Sequence, residues 1–568
     1  MSEILYPHPC LPSPWAAAVD PDADALPAWT QDPTPPLIWS VAGTDSGGGA
    51  GLSADTRAAA ALGLHLCPVV AAVTAQNSRR LQSVHPLPAG QIRAQLQALA
   101  ADMPPRVIKT GLLASVEALR AVAETVDALR ARHGFVGLVV DPVLGATAGG
   151  ASFADAALIA AYRELLLPRA TLVTPNRSEA ERLLGLAPGS WRVPALAEAL
   201  RRLGPAAVCI TGGDEPAAAT ATATATGLAL DWWDGLISPW QPELGCCSGW
   251  LALPRLDTPH HHGSGCTFAS AAAGALARGF ALPDAVILAK MLAWCALRDG
   301  HAAGRGAGPL RPGPGCVGDA QAMPVMSFGD EALDADLLAR WGQVLRGSPA
   351  AGQARPAAPE LYAITEQPAR LAELAASGLF AQLQLRIKAG PGASTEEALR
   401  RAIRQGLQAV RGSGSRLWIN DHWRLALDEG ADALHLGQED WAALQADERA
   451  LLLERRRSAG LALGLSSHSL WELARARGLA PSYIACGPLW PTRTKKMPWL
   501  PQGLGQLRWW VRMAGRPVVG IGGILEPAQT GRAARCGAAA LCLVRAAAGD
   551  AALWRRHAQA AADGLLSS

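Results

Sequence analysis

The chain has 568 residues, half of them hydrophobic and 17% charged, more than one core usually absorbs, which predicts two to four domains of ordinary size. Fifty-one Lys plus Arg against 48 Asp plus Glu leave a net charge of +3, and without a long basic run this argues against nucleic acid or a membrane surface as partner. No apolar stretch reaches membrane-spanning length, and Met1 to Pro36 is rich in Pro and Asp where a leader would be basic and then apolar, so a cytoplasmic enzyme acting on small molecules is expected.

The 11 cysteines include no CxxC pair, so neither a zinc knuckle nor a dithiol motif is written here and reduced thiols are expected. Five basic residues are Lys: Lys109, Lys290, Lys388, Lys495 and Lys496. Arg is a planar fork and Lys a compact point charge, so a Lys in an Arg-rich chain marks a place that needs the smaller cation. Lys290, in the helical stretch Val286 to Leu297, reads as ordinary helix composition.

Apolar β-rich runs alternate with Ala- and Leu-rich helical stretches in both halves, the pattern of parallel sheets covered by helices. After an N-terminal extension, residues 1–36, a first domain is expected over 37–315. Strand Leu37 to Ala42 runs into Gly43-Thr-Asp-Ser-Gly-Gly-Gly-Ala-Gly51 and then helix Leu52 to Leu62, so flexible backbone approaches a ligand behind a buried strand. Alone this is weak, because glycines also serve turns. Asp141 closes the strand Leu138 to Val140. Thr174-Pro-Asn-Arg-Ser-Glu179 follows another strand and places Asn176 and Glu179 where Mg²⁺-phosphate can be held. The Ala/Thr repeat Ala217 to Thr226 reads as a surface loop.

His262-Gly-Ser-Gly-Cys-Thr267 opens the small-residue helix Phe268 to Arg278, so the backbone N–H groups of Gly263, Ser264, Gly265 and Cys266 form an anion hole in outline. A thiol at a helix N-terminus has a lowered pKa, which suits Cys266 to take a proton. The competing reading is a small packing residue, since free Cys is commonly buried and inert. His260 to His262 has no partner cluster for a metal and reads as the loop entering the anion hole.

Periodicity is lost from Gly304 to Gly315. Residues 316–358 read as a linker that contains a helix candidate, Asp330 to Leu345, able to pack on either domain, and ends in the Gly/Pro/Ala-rich stretch Gly347 to Pro359. A second domain, 359–568, alternates strands and helices eight times, with strands at Leu361 to Thr365, Gln382 to Lys388, Arg416 to Asp421, Ala433 to Gln438, Leu463 to His468, Ser482 to Gly487, Pro517 to Gly523 and Ala540 to Arg545. That is the arithmetic of a (β/α)8 TIM barrel, whose active sites lie at the C-terminal strand ends. Gln384, Arg386 and Lys388 alternate onto one face. Asp421 and Asp440 come from neighbouring strand ends and offer two carboxylates to Mg²⁺. Thr492, Thr494 and Lys495 follow strand six, and Gly520-Ile-Gly-Gly523 with Val544-Arg545 occupies the usual barrel phosphate position.

Ala42-Gly-Thr-Asp45, Gly48-Gly-Ala-Gly51, Asp55, Thr74-Ala-Gln-Asn77, Lys109, Asp141-Pro-Val143 and Gly263-Ser-Gly-Cys-Thr267, in this order, resemble the hydroxymethylpyrimidine/phosphomethylpyrimidine kinases of the ribokinase superfamily over about residues 37–300. The resemblance implies a ribokinase-like three-layer α/β/α fold with ATP as phosphoryl donor. It also implies that Gln76 reads the aminopyrimidine edge, that Gly43, Asp55, Leu112 and Val143 surround the ring, and that Asp141, Asn176 and Glu179 serve nucleotide and Mg²⁺. Cys266 would stand where most ribokinase relatives carry an Asp base. Thr211-Gly-Gly213 replaces a frequent Lys before the Gly pair and Leu112 a common Met, which leaves a pyridoxal-type substrate as an alternative.

Gln384-x-Arg-x-Lys388, Asn420-Asp421, His435-x-Gly-Gln-Glu-Asp440, Ser466, Thr492-x-Thr-Lys495 and Ile521-Gly-Gly-Ile524 resemble thiamine-phosphate synthase across residues 360–560. The resemblance implies that Gln384, Arg386, Lys388, Asn420 and Lys495 hold a diphosphate, with Mg²⁺ on Asp421 and Asp440. Ser466, Thr492 and Thr494 would bind substrate, and Gly522, Val544 and Arg545 the thiazole phosphate. Arg545 departs from the family's Ser. Since the kinase's diphosphate product is the synthase's substrate, a bifunctional enzyme is expected. A non-catalytic metabolite-binding regulator is the rival reading, disfavoured by the paired barrel carboxylates. Homo-oligomerisation is left open.

Overall fold

The computed structural model describes residues 13–15, 20–23, 29, 32–145, 154–212, 227–347, 358–387, 395–492 and 498–566. The chain divides into two compact units: residues 1–17 with 27–346, and residues 18–26 with 347–568.

Among the described residues, ten strands of the first unit form one sheet: β1 (Leu37–Asp45), β2 (His65–Gln76), β3 (Leu81–Pro86), β4 (Val107–Thr110), β5 (Gly137–Val140), β6 (Leu172–Val173), β7 (Ala207–Thr211), β8 (Leu228–Leu236), β9 (Cys246–Pro254) and β10 (Val325–Met326). Their order is β10-β9-β8-β7-β6-β5-β4-β1-β2-β3. From β2 to β7 across the middle neighbours are parallel, and both edges are antiparallel. Alternate residues of β1 serve the two faces. Trp39 and Val41 join a core with Ile92, Leu96, Leu119 and Val122 from helices on one side. Ser40 turns the other way and reaches Asp55 in helix Gly51–Ala61. Helix Ser264–Ala277 packs on this second face, and its Ala and Gly residues permit close approach. A Cβ on Gly274 would lie 2.4 Å from Leu64 Cδ1. Helices on both faces of a mostly parallel sheet make the three-layer α/β/α architecture.

The segment 316–346, expected within a linker, belongs to this unit. β10 extends the sheet along β9, and helix Ala335–Arg346 buries Leu337, Leu338 and Trp341 against Leu228, Leu230 and Val325. An amphipathic stripe announces a buried face without naming its partner. Trp15 of the N-terminal extension packs on Phe135 and Trp240, also in this unit.

The second unit is a closed barrel of eight parallel strands: β11 (Glu360–Thr365), β12 (Phe380–Leu385), β13 (Arg416–Asn420), β14 (Ala433–Leu436), β15 (Ala462–Ser467), β16 (Tyr483–Cys486), β17 (Val518–Ile521) and β18 (Ala540–Leu543). Its lumen gathers Tyr362, Trp418 and Tyr483 among Ala433, Ala462, Ala485 and Ala540. Large and small side chains alternate so that the layer fills. Tyr483 lies edge-on to Trp418, with ring centroids 4.7 Å apart, and a Cβ on Gly464 would lie 2.3 Å from the Tyr483 ring. Helix Glu396–Val410 shows why the outer helices start where they do: Thr395 accepts from the Ala398 N–H and two Glu fill the first turn. β12 ends at Leu385, so Arg386 sits just beyond the strand and only Gln384 of the expected trio is carried by it. Lys388, Thr494, Lys495, Gly213 and the Ala217 to Thr226 repeat lie outside the described residues.

Candidate active sites

In the first unit, two glycine-containing loops meet backbone to backbone. Gly51 has φ +55°, and a Cβ there would lie 2.2 Å from Gly43 O. Gly263 has φ +88° at the N-cap of helix Ser264–Ala277, and a Cβ there would lie 2.2 Å from Gly49 O. Only glycine allows both contacts without strain. They bring that helix terminus, from Gly263 to Cys266, over a cavity of about 270 Å³ also lined by Gly43, Gln76, Leu112 and Val143. Asp141, Asn176, Glu179 and Thr211 line the same cavity.

Asp55 does not. It is fully buried beneath the cavity, where both carboxylate oxygens meet Lys109 Nζ, at 2.9 and 3.0 Å, and the hydroxyls of Ser40 and Ser270 donate to it at 2.6 and 2.7 Å. The expectation that Asp55 borders the ring is corrected: helix periodicity turns it inward, toward the Lys109 ammonium. Burial opposes charge on Lys109, but Asp55, Cys266 and Asp141 outweigh it and raise the ammonium's pKa. Asp141 Oδ2 stands 3.8 Å from Lys109 and has no hydrogen-bond partner. Burial pushes Asp141 up to about 6; Asp55 adds to this, while Lys109 and a hydrogen bond from Cys266 oppose it.

Cys266 departs from expectation in the same way. Burial pushes the thiol up to about 12; Lys109 and the Gly51 N–H oppose the rise, and Asp141 and Asp55 reinforce it. The helix terminus that should acidify the thiol is outweighed first by burial and then by two carboxylates that the sequence places 125 and 211 residues away. Asn176 and Glu179 form a capping box for helix Arg177–Leu184: Asn176 Oδ1 accepts from the Glu179 N–H at 2.8 Å, and Glu179 Oε2 from the Asn176 N–H at 3.0 Å. Their spacing therefore also serves the helix start.

Sequence reasoning passed over three groups here. Lys290 is buried, lines the cavity and reaches Asp231 Oδ2 at 2.6 Å. The scarcity of Lys was the signal that marked it. Asp45 accepts from the N–H groups of Gly47, Gly49 and Ala50 at 2.8, 2.9 and 2.9 Å. His262, read as loop, brings Nε2 to 2.9 Å from Asp45 Oδ2 and 3.2 Å from the Gln76 amide.

In the barrel, Gln384, Arg386, Asn420, Asp421, Asp440 and Ser466 line a cavity of about 180 Å³. Thr492, Gly522, Val544 and the exposed Arg545 line it as well. A polar chain crosses the lumen through two tyrosines that composition does not single out. Gln384 Nε2 donates to Asn420 Oδ1 at 2.6 Å, and its Oε1 accepts from Tyr362 OH at 3.0 Å. Tyr362 OH lies 2.8 Å from Tyr483 OH, which lies 2.6 Å from His435 Nδ1, and His435 Nε2 meets Ser466 Oγ at 3.0 Å. Burial, with the charges of Arg386 and His468, lowers His435 to about 3, so the imidazole is neutral. Tyr483→Phe is expected to destabilise the barrel by about 1–3 kcal/mol, because His435 and Tyr362 then lose a buried partner; a denaturant titration of the barrel's transition checks this.

Asp421 adopts φ +63°, a left-handed conformation unusual for a non-glycine residue. Burial and the neighbouring Asp440 push it up to about 6, against Arg386 and His422. Asp440 Oδ2 also accepts from the Gly437 N–H at 2.9 Å. Across the same rim, Gly522 and Gly523 have φ +93° and +75°, and a Cβ on either would lie within 2.7 Å of Pro488 or Trp490.

Residues 45–311 match the family model of phosphomethylpyrimidine kinase, and residues 359–547 that of thiamine monophosphate synthase. Fold and matched families define a transferase in two parts, a ribokinase-like kinase followed by a TIM-barrel synthase. A probable thiamine biosynthetic bifunctional enzyme, chloroplastic, of Oryza sativa subsp. japonica is 32% identical over 86% of this chain and 81% of its own length. A thiamine biosynthetic bifunctional enzyme, chloroplastic, of Arabidopsis thaliana is 31% identical over 86% and 85%. A hydroxymethylpyrimidine/phosphomethylpyrimidine kinase of Streptomyces coelicolor is 40% identical over 49% of this chain and 95% of its own. Among solved structures, a Staphylococcus aureus pyridoxal kinase in complex with AMP-PCP and pyridoxal is 27% identical over 50% of this chain and 95% of its own, with a TM-score of 0.41. The chain belongs to the bifunctional thiamine biosynthetic enzymes. Among the described residues no helix is long and apolar enough to cross a membrane.

Proposed function

We propose that the first unit phosphorylates hydroxymethylpyrimidine twice at the expense of ATP, and that the barrel condenses the resulting diphosphate with thiazole phosphate, giving thiamine phosphate and pyrophosphate. The observation that carries the kinase reading is Cys266, held at a helix N-terminus and lining the same cavity as Asp141. The Gly263–Cys266 backbone N–H groups face charge on the transferring phosphoryl group, and Gln76 reads the pyrimidine edge between Gly43, Leu112 and Val143. Because the resting thiol is protonated, the attacking hydroxyl's proton passes to Cys266 Sγ as the thiol's own proton leaves toward Asp141. Phosphoryl transfer has little nucleophile bonding in its transition state, so this late proton movement suffices.

The residues fit Mg²⁺ at both sites. Asp141 Oδ2 is a buried carboxylate oxygen without a hydrogen bond, and Asp421 and Asp440 repel each other until a cation or proton joins them. Among the described residues no cluster of three or more His, Cys, Asp or Glu could hold a metal, so substrate oxygens and water complete the coordination. When bound, Mg²⁺ neutralises phosphate charge. Gln384, Arg386, Lys388, Asn420 and Lys495 hold the departing diphosphate, Ser466, Thr492 and Thr494 the pyrimidine end, and Gly522, Val544 and Arg545 the thiazole phosphate. The described cysteines are all free thiols, which supports a reducing compartment such as the cytoplasm.

Purified chain given the pyrimidine alcohol, ATP, Mg²⁺ and thiazole phosphate is expected to release two ADP and one pyrophosphate per thiamine phosphate. Absence of thiamine phosphate defeats the reading, and a strong preference for pyridoxal over the pyrimidine alcohol defeats the assignment of the kinase substrate.

A further inference from the structure

We propose that His262 is a specificity-determining positioning residue: it turns the Gln76 carbonyl toward itself and leaves the Gln76 amide N–H groups to meet a ring nitrogen lone pair of the substrate. This rests on the kinase reading above, in which Gln76 faces the pyrimidine.

His262 Nε2 is 2.9 Å from Asp45 Oδ2 and 3.2 Å from the Gln76 amide. A ring nitrogen carries either a proton or an in-plane lone pair, never both. Burial alone would raise Asp45, but hydrogen bonds from His262 and from the Ala50 and Gly47 N–H groups outweigh it and hold the carboxyl below its usual range. The carboxylate is therefore ionised, and Nε2 must carry the proton and donate to it.

With its lone pair gone, Nε2 cannot accept from an amide N–H2. Two donors would then face each other at 3.2 Å. Reversing the amide removes this repulsion, since the Gln76 oxygen then accepts from the same Nε2–H, and oxygen and nitrogen of a side-chain amide are assigned only through such partners. The imidazole cannot swing away. It is buried against Gly49, where a Cβ would lie 2.2 Å from its Cδ2, and its backbone N–H donates to Gly308 O at 3.1 Å. Gln76 is tethered as well: its N–H donates to Ser46 Oγ at 2.9 Å and its carbonyl accepts from the same hydroxyl at 2.7 Å.

The chemistry selected is a heteroaromatic ring that offers an acceptor nitrogen where Gln76 meets it. The test compares wild type, His262→Phe and His262→Gln on the pyrimidine alcohol and on its analogues with one ring nitrogen replaced by C–H. His262→Phe keeps the ring and removes the donor, while His262→Gln restores an N–H near Nε2. Wild type is expected to discriminate against one deaza analogue by about a hundredfold or more in kcat/KM, because a donor is left facing C–H. His262→Phe should raise KM for the alcohol about tenfold with kcat within about threefold, and reduce the discrimination below about tenfold. His262→Gln should recover most of both.

A His262→Phe enzyme that keeps wild-type KM and discrimination overturns the proposal, and so does one that loses kcat at unchanged KM. Should Phe fail to fold, a His262→Gln enzyme without discrimination overturns it equally. Wild-type turnover of the alcohol is measured first; its absence defeats the kinase reading itself and this role with it, whereas turnover with unaltered selectivity in the variants defeats the role of His262 alone.

Discussion

Cys266→Ala is expected to lower kcat for phosphorylation of the pyrimidine alcohol by about 10²–10⁴, the range supplied by a positioned proton acceptor, while the condensation rate stays unchanged. Cys266 is the thiol at the helix terminus, and it lines the cavity together with Asp141, whose charge it feels. Alanine removes the thiol but preserves the Gly263–Cys266 backbone, so the anion hole survives and KM for ATP should move little. Cys266→Ser separates two contributions. A hydroxyl keeps the position beside Asp141 yet gives up its own proton less readily than a thiol; a serine enzyme near wild-type speed would mean that position alone matters. Asp421→Ala is the reciprocal experiment. Losing one of two paired carboxylates should slow condensation by about 10²–10³ and leave phosphorylation untouched. A folded variant in which either substitution abolishes both reactions would refute independent sites.

Lys109→Met is expected to destabilise the first unit by about 3–5 kcal/mol, the cost of breaking a buried ion pair from one side. The ammonium and the Asp55 carboxylate are both fully buried and 2.9 Å apart, and Asp141 stands 3.8 Å away with only a little exposure. Methionine leaves two carboxylates facing each other across an apolar side chain. The double variant Lys109→Met, Asp55→Asn removes one of these charges and should recover a substantial part of the loss. The lysine's pKa is raised above 10.5 in the folded chain, so its contribution is complete below that pH and is lost only as pH climbs through the higher folded value. The lysine's own titration therefore adds no pH dependence from pH 6 to 9, but Asp141, already pushed up to about 6, takes up a proton at the acid end once Lys109 is gone, so the loss should be smaller near pH 6 than near pH 9. Thermal unfolding followed separately in the two units checks this: the barrel transition should not move, and a first-unit transition unchanged in Lys109→Met would refute the argument.

Much of the fold is legible because periodicity is local. Eight alternations of apolar run and helix in about 200 residues admit few closed solutions other than a barrel, and strands such as β13, β15 and β18 lie within a residue or two of where the apolar runs place them. Loop chemistry is equally local. Gly51, Gly263, Gly522 and Gly523 stand where neighbouring backbone leaves no room for a Cβ. Asp55 was misplaced because a carboxylate near a glycine loop looks the same whether it turns to the cavity or to a lysine 54 residues away. The stripe of helix Ala335–Arg346 likewise says that a face is covered without saying by what.

The order of elements, the glycines that let the loops meet, and the polar residues gathered at strand ends were determined by the amino-acid sequence alone. Tertiary structure decided the protonation states and the partnerships. Cys266 is raised, not lowered, because folding buries it and brings Asp141 and Asp55 beside it; His262 leaves the anonymity of a loop because Asp45 and Gln76 close on one of its nitrogens; Tyr362 and Tyr483 become links between Gln384 and His435 because the barrel closes. The physical reason is common to all three: a pKa or a hydrogen bond depends on distance and burial among groups far apart in the chain, and neither quantity exists until the chain has folded.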